Sequence, residues 1–270
     1  MKNVMKKVTL AALVAGTLTS VLTFKTTYAD TKEDIVENYN SIKAQVEEKS
    51  NIIEKSGVSL EDISEEDMRE IQNLKSEMGN LIKENPEAFE GIIVTDRDKE
   101  LNLNSNLKTT DEENGIQTMA AYGDVEHWNY YGDIFVSTSR RVNRGMSGHC
   151  GLGDYDKGWT IESLPADGVQ YRDNYWTWRN DSSAGIYRVD TSVSRAYEKA
   201  YDYAKARIGE KYNKTFSPSG EGYYNSEIVY FSWKNGCNIR IRDVNRDGDD
   251  YVHPREFMIS PKTYKVDWPY

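Results

Sequence analysis

The chain has 270 residues and a formal net charge of -10, and that charge is unevenly spread. Residues 1–29 hold four lysines and no acid, residues 30–118 hold 23 acids against 10 bases, and residues 119–270 are close to neutral. An acidic chain without a basic patch interleaved with aromatics has no electrostatic footprint for a nucleic-acid backbone, so nucleic-acid binding is excluded.

The chain opens on a targeting signal. Lys2, Lys6 and Lys7 form a charged start, residues 8–24 are mostly apolar and small, and Thr27-Tyr28-Ala29 is a small-x-small cleavage site. That pattern marks residues 1–29 as a secretory signal peptide and Asp30 as the first residue of the mature protein. A retained membrane anchor is the alternative, but the apolar stretch is short and interrupted by threonines and a serine. No cysteine follows it to carry a lipid, and no later stretch is apolar enough to cross a bilayer. The expected protein is bacterial, secreted or cell-wall associated, with no integral membrane span after signal removal.

Residues 30–94 form an acidic helical segment. Ile35, Tyr39, Ile42, Val46, Ile52 and Ile53 recur at helical spacing, which predicts a helix over 31–55 stopped by Ser56-Gly57. Ser64-Glu65-Glu66-Asp67 resembles a capping box with an acid-rich first turn, and Met68, Ile71, Leu74, Met78 and Leu81 then form one apolar stripe up to Asn85-Pro86. Such a pair has too thin a stripe to build its own core, so it either docks on the rest of the chain or stays partly mobile. Residues 95–118, rich in Asp, Asn, Glu and Thr, read as a linker. An acidic arm ahead of a linker fits a propeptide or an autoinhibitory arm. It equally fits a spacer or a partner-binding segment.

All six tryptophans lie at or beyond Trp128, whereas residues 30–118 contain only Tyr39 and Phe89 as aromatics. The main core therefore belongs to residues 119–270. Strands are predicted at 132–136, from 148, at 160–164, at 169–171 after the Pro165-Ala166-Asp167-Gly168 turn, and at 185–189. A helix follows over 190–206, capped by Thr191 or Ser192, and another runs from 225 to about 234, closed by Asn235-Gly236. Late irregular structure completes an α+β domain with an antiparallel sheet.

Chemistry concentrates in two stretches. Gly132-Asp133-Ile134-Phe135-Val136 and Gly148-His149-Cys150-Gly151-Leu152 come first, and Tyr223-Tyr224-Asn225-Ser226-Glu227-Ile228-Val229-Tyr230 comes later. With Ala206-Arg207-Ile208-Gly209-Glu210-Lys211-Tyr212-Asn213 and Val252-His253-Pro254, five pieces over about 130–260 resemble the circularly permuted, YiiX-like branch of the NlpC superfamily of papain-like cysteine peptidases and amidases. The resemblance implies a permuted papain-like fold, in which the histidine strand precedes the nucleophile helix. It also implies thiol-dependent amide hydrolysis, with His149 as base, Glu162 as its orienting partner and position 225 as nucleophile. A strand puts His149 on one face and Cys150 on the other.

Position 225 departs from the family, because it holds Asn225 where the branch has cysteine. A carboxamide does not ionise to a nucleophile near neutral pH, whereas a thiol does. Asn225 also suits a plain helix N-cap. Ser226 and Cys150 are substitutes to weigh, one pointing elsewhere from its helix and the other facing away from His149. The resemblance therefore implies a protein that acts on or binds cell-wall peptides, with a non-catalytic peptide- or partner-binding module as the alternative.

Asp243-Val244-Asn245-Arg246-Asp247-Gly248-Asp249-Asp250-Tyr251 matches the first half of a calcium loop, with Asp243, Asn245, Asp247, Asp249 and Tyr251 as ligands. The twelfth position is Pro254 rather than glutamate, so calcium is a stabilising option and no cofactor is required; an Asp/Asn/Gly turn fits the same residues. Cys150 and Cys237 are either a disulfide or two free buried thiols. Tyr171, Tyr175, Trp176 and Trp178 fit a sugar or peptide groove, or core and rim.

Overall fold

A computed structural model of the chain describes residues 31–94, 131–138, 148–154, 159–173, 184–216, 220–241 and 251–266. Residues from Lys32 onward form one compact unit. Its elements are α1 (Lys32–Ser56), α2 (Glu65–Glu84), β1 (Ile134–Ser137), β2 (His149–Asp154), β3 (Trp159–Leu164), β4 (Gly168–Asp173), β5 (Gly185–Val189), α3 (Ala196–Lys205), α4 (Asn225–Cys237), α5 (Pro254–Ile259) and β6 (Thr263–Val266). The strands make one sheet in the order β4-β3-β2-β1-β5-β6, and every pairing is antiparallel. This is the α+β class that the strand and helix signals point to. The expected signal peptide and the expected linker at 95–118 lie outside the described residues.

The sheet is tied across its middle by a buried ion pair. Arg188 of β5 reaches Asp133, just before β1, through Nε at 3.1 Å to Oδ1 and Nη2 at 3.1 Å to Oδ2. On one face Ile134, Val136, Cys150, Leu152, Ile161 and Tyr187 join the main core with α3 and α4. Trp233 of α4 meets Tyr197 of α3 edge-on, with centroids 4.8 Å apart.

The helical pair docks. Ser64 caps α2, its Oγ accepting the Asp67 N–H at 3.0 Å, as its position before an acidic turn predicts. Tyr39, Ile42, Val46 and Ile53 of α1 are buried, while Ile52 is exposed. On α2 the buried stripe is Met68, Ile71, Lys75, Met78 and Ile82; Leu74 and Leu81 pack only at its margin. A lysine thus occupies a core position of an apolar stripe. Gly79 lies so close to β6 that a Cβ there would fall 2.0 Å from the Lys265 carbonyl oxygen, so only glycine permits this approach.

Three local readings change. The helix expected to close at Asn235-Gly236 runs through both to Cys237, with Asn238 in the left-handed region as its C-cap. The helix expected at 190–206 starts at Ala196, because 190–195 is used for contacts: Thr191 Oγ1 accepts the Val193 N–H, Thr191 O accepts the Val94 N–H, and Arg195 turns into the left-handed region at φ 58°. The late irregular region contains α5 and β6. Pro254 opens α5 at its first turn, where a missing N–H costs nothing. Tyr264 of β6 pairs with Arg188 and Thr263 with Val189, which adds a strand beyond β5.

Candidate functional site

The start of β2 and the start of α4 meet. Gly148 precedes His149 at φ 120°, and a Cβ there would lie 2.3 Å from the Ser137 carbonyl oxygen; the strand therefore enters beside β1 only with glycine at this point. His149 pairs with Ser137 across the ladder. Leu152 pairs with Ile161, so strand alternation puts Glu162 on the same face as His149 and Cys150 on the other.

The three residues singled out at 149, 162 and 225 are brought together and are fully buried. His149 Nε2 lies 2.6 Å from Glu162 Oε2, and Asn225 Nδ2 lies 3.1 Å from His149 Nδ1. The Asn225 amide also donates to the Gly148 carbonyl at 3.4 Å, and its Oδ1 accepts the Ser226 N–H. A carbonyl only accepts and a backbone N–H only donates, so these two contacts fix which end of the amide faces the imidazole. The amide N–H then requires a lone pair on Nδ1, and the proton sits on Nε2, donated to the Glu162 carboxylate. Thr160, two residues back on the same face, donates to Glu162 Oε1 at 2.5 Å.

Asn225 is not the N-cap. The N-cap residue is Tyr224, in extended conformation, and Glu227 takes its N–H at 3.2 Å. The simplest structural reason for an asparagine at 225 therefore does not apply. Ser226 is committed elsewhere: its hydroxyl donates to the Val252 carbonyl. Cys150 is buried, and its thiol is pushed well above the usual range, chiefly by burial and then by the charges of Glu162 and Glu256, so it stays protonated. Both Cys150 and Cys237 are free thiols.

Two partners had no strong sequence signal. Glu227 is buried, and burial raises its carboxyl to about 7, against the opposing hydrogen bonds from the Tyr224 N–H and the Asn213 amide. The Glu at the third helical position is the second half of a capping box, but the tyrosine at the cap hides the pattern. Asn213 also lines a cleft of about 470 Å³ formed by 165–168, 209–215 and Glu221. Here Gly209 and Glu210 exchange hydrogen bonds with Val169 at 2.8 and 2.9 Å, which seats the 209–213 stretch along the start of β4.

Of the remaining sequence candidates, Tyr171 and Tyr251 lie among the described residues. The proposed calcium ligands Asp243, Asn245, Asp247 and Asp249 lie outside the described residues, as do Tyr175, Trp176 and Trp178. Tyr251 stacks in an aromatic group, 5.0 Å from Tyr224 and 4.3 Å from His253 between ring centroids. Among the described residues no group of three or more His, Cys, Asp or Glu side chains is placed to hold a metal ion, and no helix is long and apolar enough to cross a membrane.

No protein-family model and no curated protein matches the chain. Among solved structures, the chain is similar to the crystal structure of metalloprotein yiiX from Escherichia coli O157:H7, DUF1105, at 19% identity and a TM-score of 0.43, covering 53% of this chain and 99% of that one.

Proposed function

We propose that this chain is an exported protein with a permuted papain-like domain that binds cell-wall peptides and does not hydrolyse them. The observation that carries the reading is the closed hydrogen-bond chain Asn225–His149–Glu162. In a thiol amidase the group on the histidine's free nitrogen is a thiol, which gives up its proton to form a thiolate–imidazolium pair. Here that place is taken by a carboxamide, whose nitrogen lone pair is delocalised into the carbonyl. Imidazole is far too weak a base to remove its proton. The base and its orienting carboxylate are in position, and the group they would activate cannot be activated.

None of the three side chains meets solvent in this structure. A ligand would meet the cleft beside Asn213, where the 209–215 stretch offers backbone groups and the Lys211 and Lys214 side chains. The amidase reading keeps one observation in its favour, the 2.6 Å pairing of His149 with a carboxylate, which is the arrangement a working base needs.

The test is direct. The mature chain is titrated by calorimetry with soluble peptidoglycan stem peptides, and the same mixtures are followed by mass spectrometry. The reading expects saturable binding with no product. Product formation that disappears in His149→Ala would replace it with the hydrolase, and absence of both binding and product would remove both.

A further inference from the structure

α5 is six residues long, too short to hold itself, so its position is set by whatever grips it. Three parts of the acidic helical pair do so. Ser50 of α1 donates to the Ile259 carbonyl at 2.5 Å. The α1–α2 connection receives Arg255 Nη1 on the Leu60 and Glu61 carbonyls, at 2.8 and 3.1 Å. Lys75 of α2, fully buried, donates to the Ser260 carbonyl at 2.5 Å, to the Phe257 carbonyl at 3.4 Å and to Thr263 Oγ1. An ammonium on the last carbonyls of a helix closes that helix from outside.

The other end of this grip reaches Asn225. Val252 stands two residues before Pro254, the first residue of α5. Its N–H donates to Tyr224 Oη at 2.9 Å, and its carbonyl accepts from Ser226 Oγ. Tyr224 and Ser226 flank Asn225, so one residue ahead of α5 holds α4 on both sides of the amide that faces His149. A hydrogen bond of 3.1 Å has little slack, since a shift of about 0.5 Å takes it outside bonding range.

We propose that the acidic helical pair is a positioning element for the Asn225–His149 contact, acting through α5 and Val252, with Lys75 at one end of the chain of contacts and Ser226 at the other. The inference rests on reading that contact as the working site. It makes the pair a fixed part of the domain: a chain cut between α2 and β1 and stripped of its helices would lose the alignment at Asn225.

The experiment uses the full mature chain and reads the imidazole nitrogens of His149 by nitrogen NMR, so its outcome does not depend on any turnover or peptide binding. Native protein should show the Nε2–H tautomer. Ser226→Ala, Arg255→Met and Lys75→Met should each lower the ratio of Nε2–H to Nδ1–H by roughly fivefold, the effect of losing one ordinary hydrogen bond to Nδ1. Tyr39→Phe is the control: it removes the 3.0 Å bond that ties α1 to Asp190 but touches neither α5 nor Val252. Should Lys75→Met fail to fold, Arg255→Met reports on the same end. An unchanged imidazole in the folded Lys75 and Arg255 variants would overturn the proposal, even if Ser226→Ala moves it, and so would an equal change in Tyr39→Phe.

Discussion

Two buried polar clusters flank α5, and they are built differently. Around His149, the side chains of His149, Glu162, Thr160 and Asn225 from β2, β3 and α4 pass hydrogen bonds along a line. At Lys75 a single ammonium serves three oxygens of the α5–β6 corner. The line tolerates exchange of a member that preserves the donor on Nδ1. The pin tolerates no such exchange, because one atom satisfies several buried acceptors at once.

That contrast orders the expected effects. Lys75→Ala should be the most damaging, at about 3 kcal/mol in a urea unfolding titration, because it removes one donor shared by three buried oxygens, leaving the two carbonyls only their Thr263 partners, and opens a cavity. A loss below about 0.5 kcal/mol would mean that the corner does not need its ammonium. Burial drives the lysine pKa well below its ordinary value, and the three acceptors oppose that by favouring the protonated form.

At the line, Asn225→Ala should cost less, about 1–2 kcal/mol, since it removes one donor from His149 and one from the Gly148 carbonyl while the helix keeps its cap at Tyr224 and Glu227. Ser64→Ala tests an ordinary cap on the hairpin side and should cost about 1 kcal/mol. If Ser64→Ala proved far more damaging than Asn225→Ala, the buried line would contribute little to stability.

A pH-dependent effect is expected at Glu227. Its carboxyl is raised from 4.5 to about 7 by burial, so between those values the folded chain holds a proton that the unfolded chain has released. Its contribution to stability is complete below about 4.5 and is lost as pH rises through about 7. Glu227→Gln keeps an acceptor for the Tyr224 N–H and removes the titration. The variant should gain on the native chain between pH 5 and 8 in urea midpoints; parallel curves would show that Glu227 does not titrate there.

Much of the architecture could be read in the sequence where local pattern and tertiary packing agree. Ser64 before an acidic turn, the strands at 160–164 and 185–189, and the Pro165–Gly168 turn all keep their meaning in the fold, although both strands are buried on both faces rather than alternating. The three residues that the family resemblance singled out, His149, Glu162 and Asn225, do touch one another. Agreement ended where distant contacts override local pattern. Thr191 resembles a cap yet is held by Val94 and Val193. Lys75 is not part of the expected apolar stripe yet is buried, because its acceptors lie more than 180 positions away. Asn225 reads as an N-cap, but the cap falls one residue earlier and is completed by Glu227.

The most direct test of the account is an amidase assay on peptidoglycan fragments, comparing the native chain with Asn225→Cys and with Asn225→Cys combined with His149→Ala. The account predicts no product from the native chain, product from the single variant, and its loss when His149 is removed. Product from the native chain at the same rate as from the single variant would contradict it, because the nucleophile would then lie away from position 225.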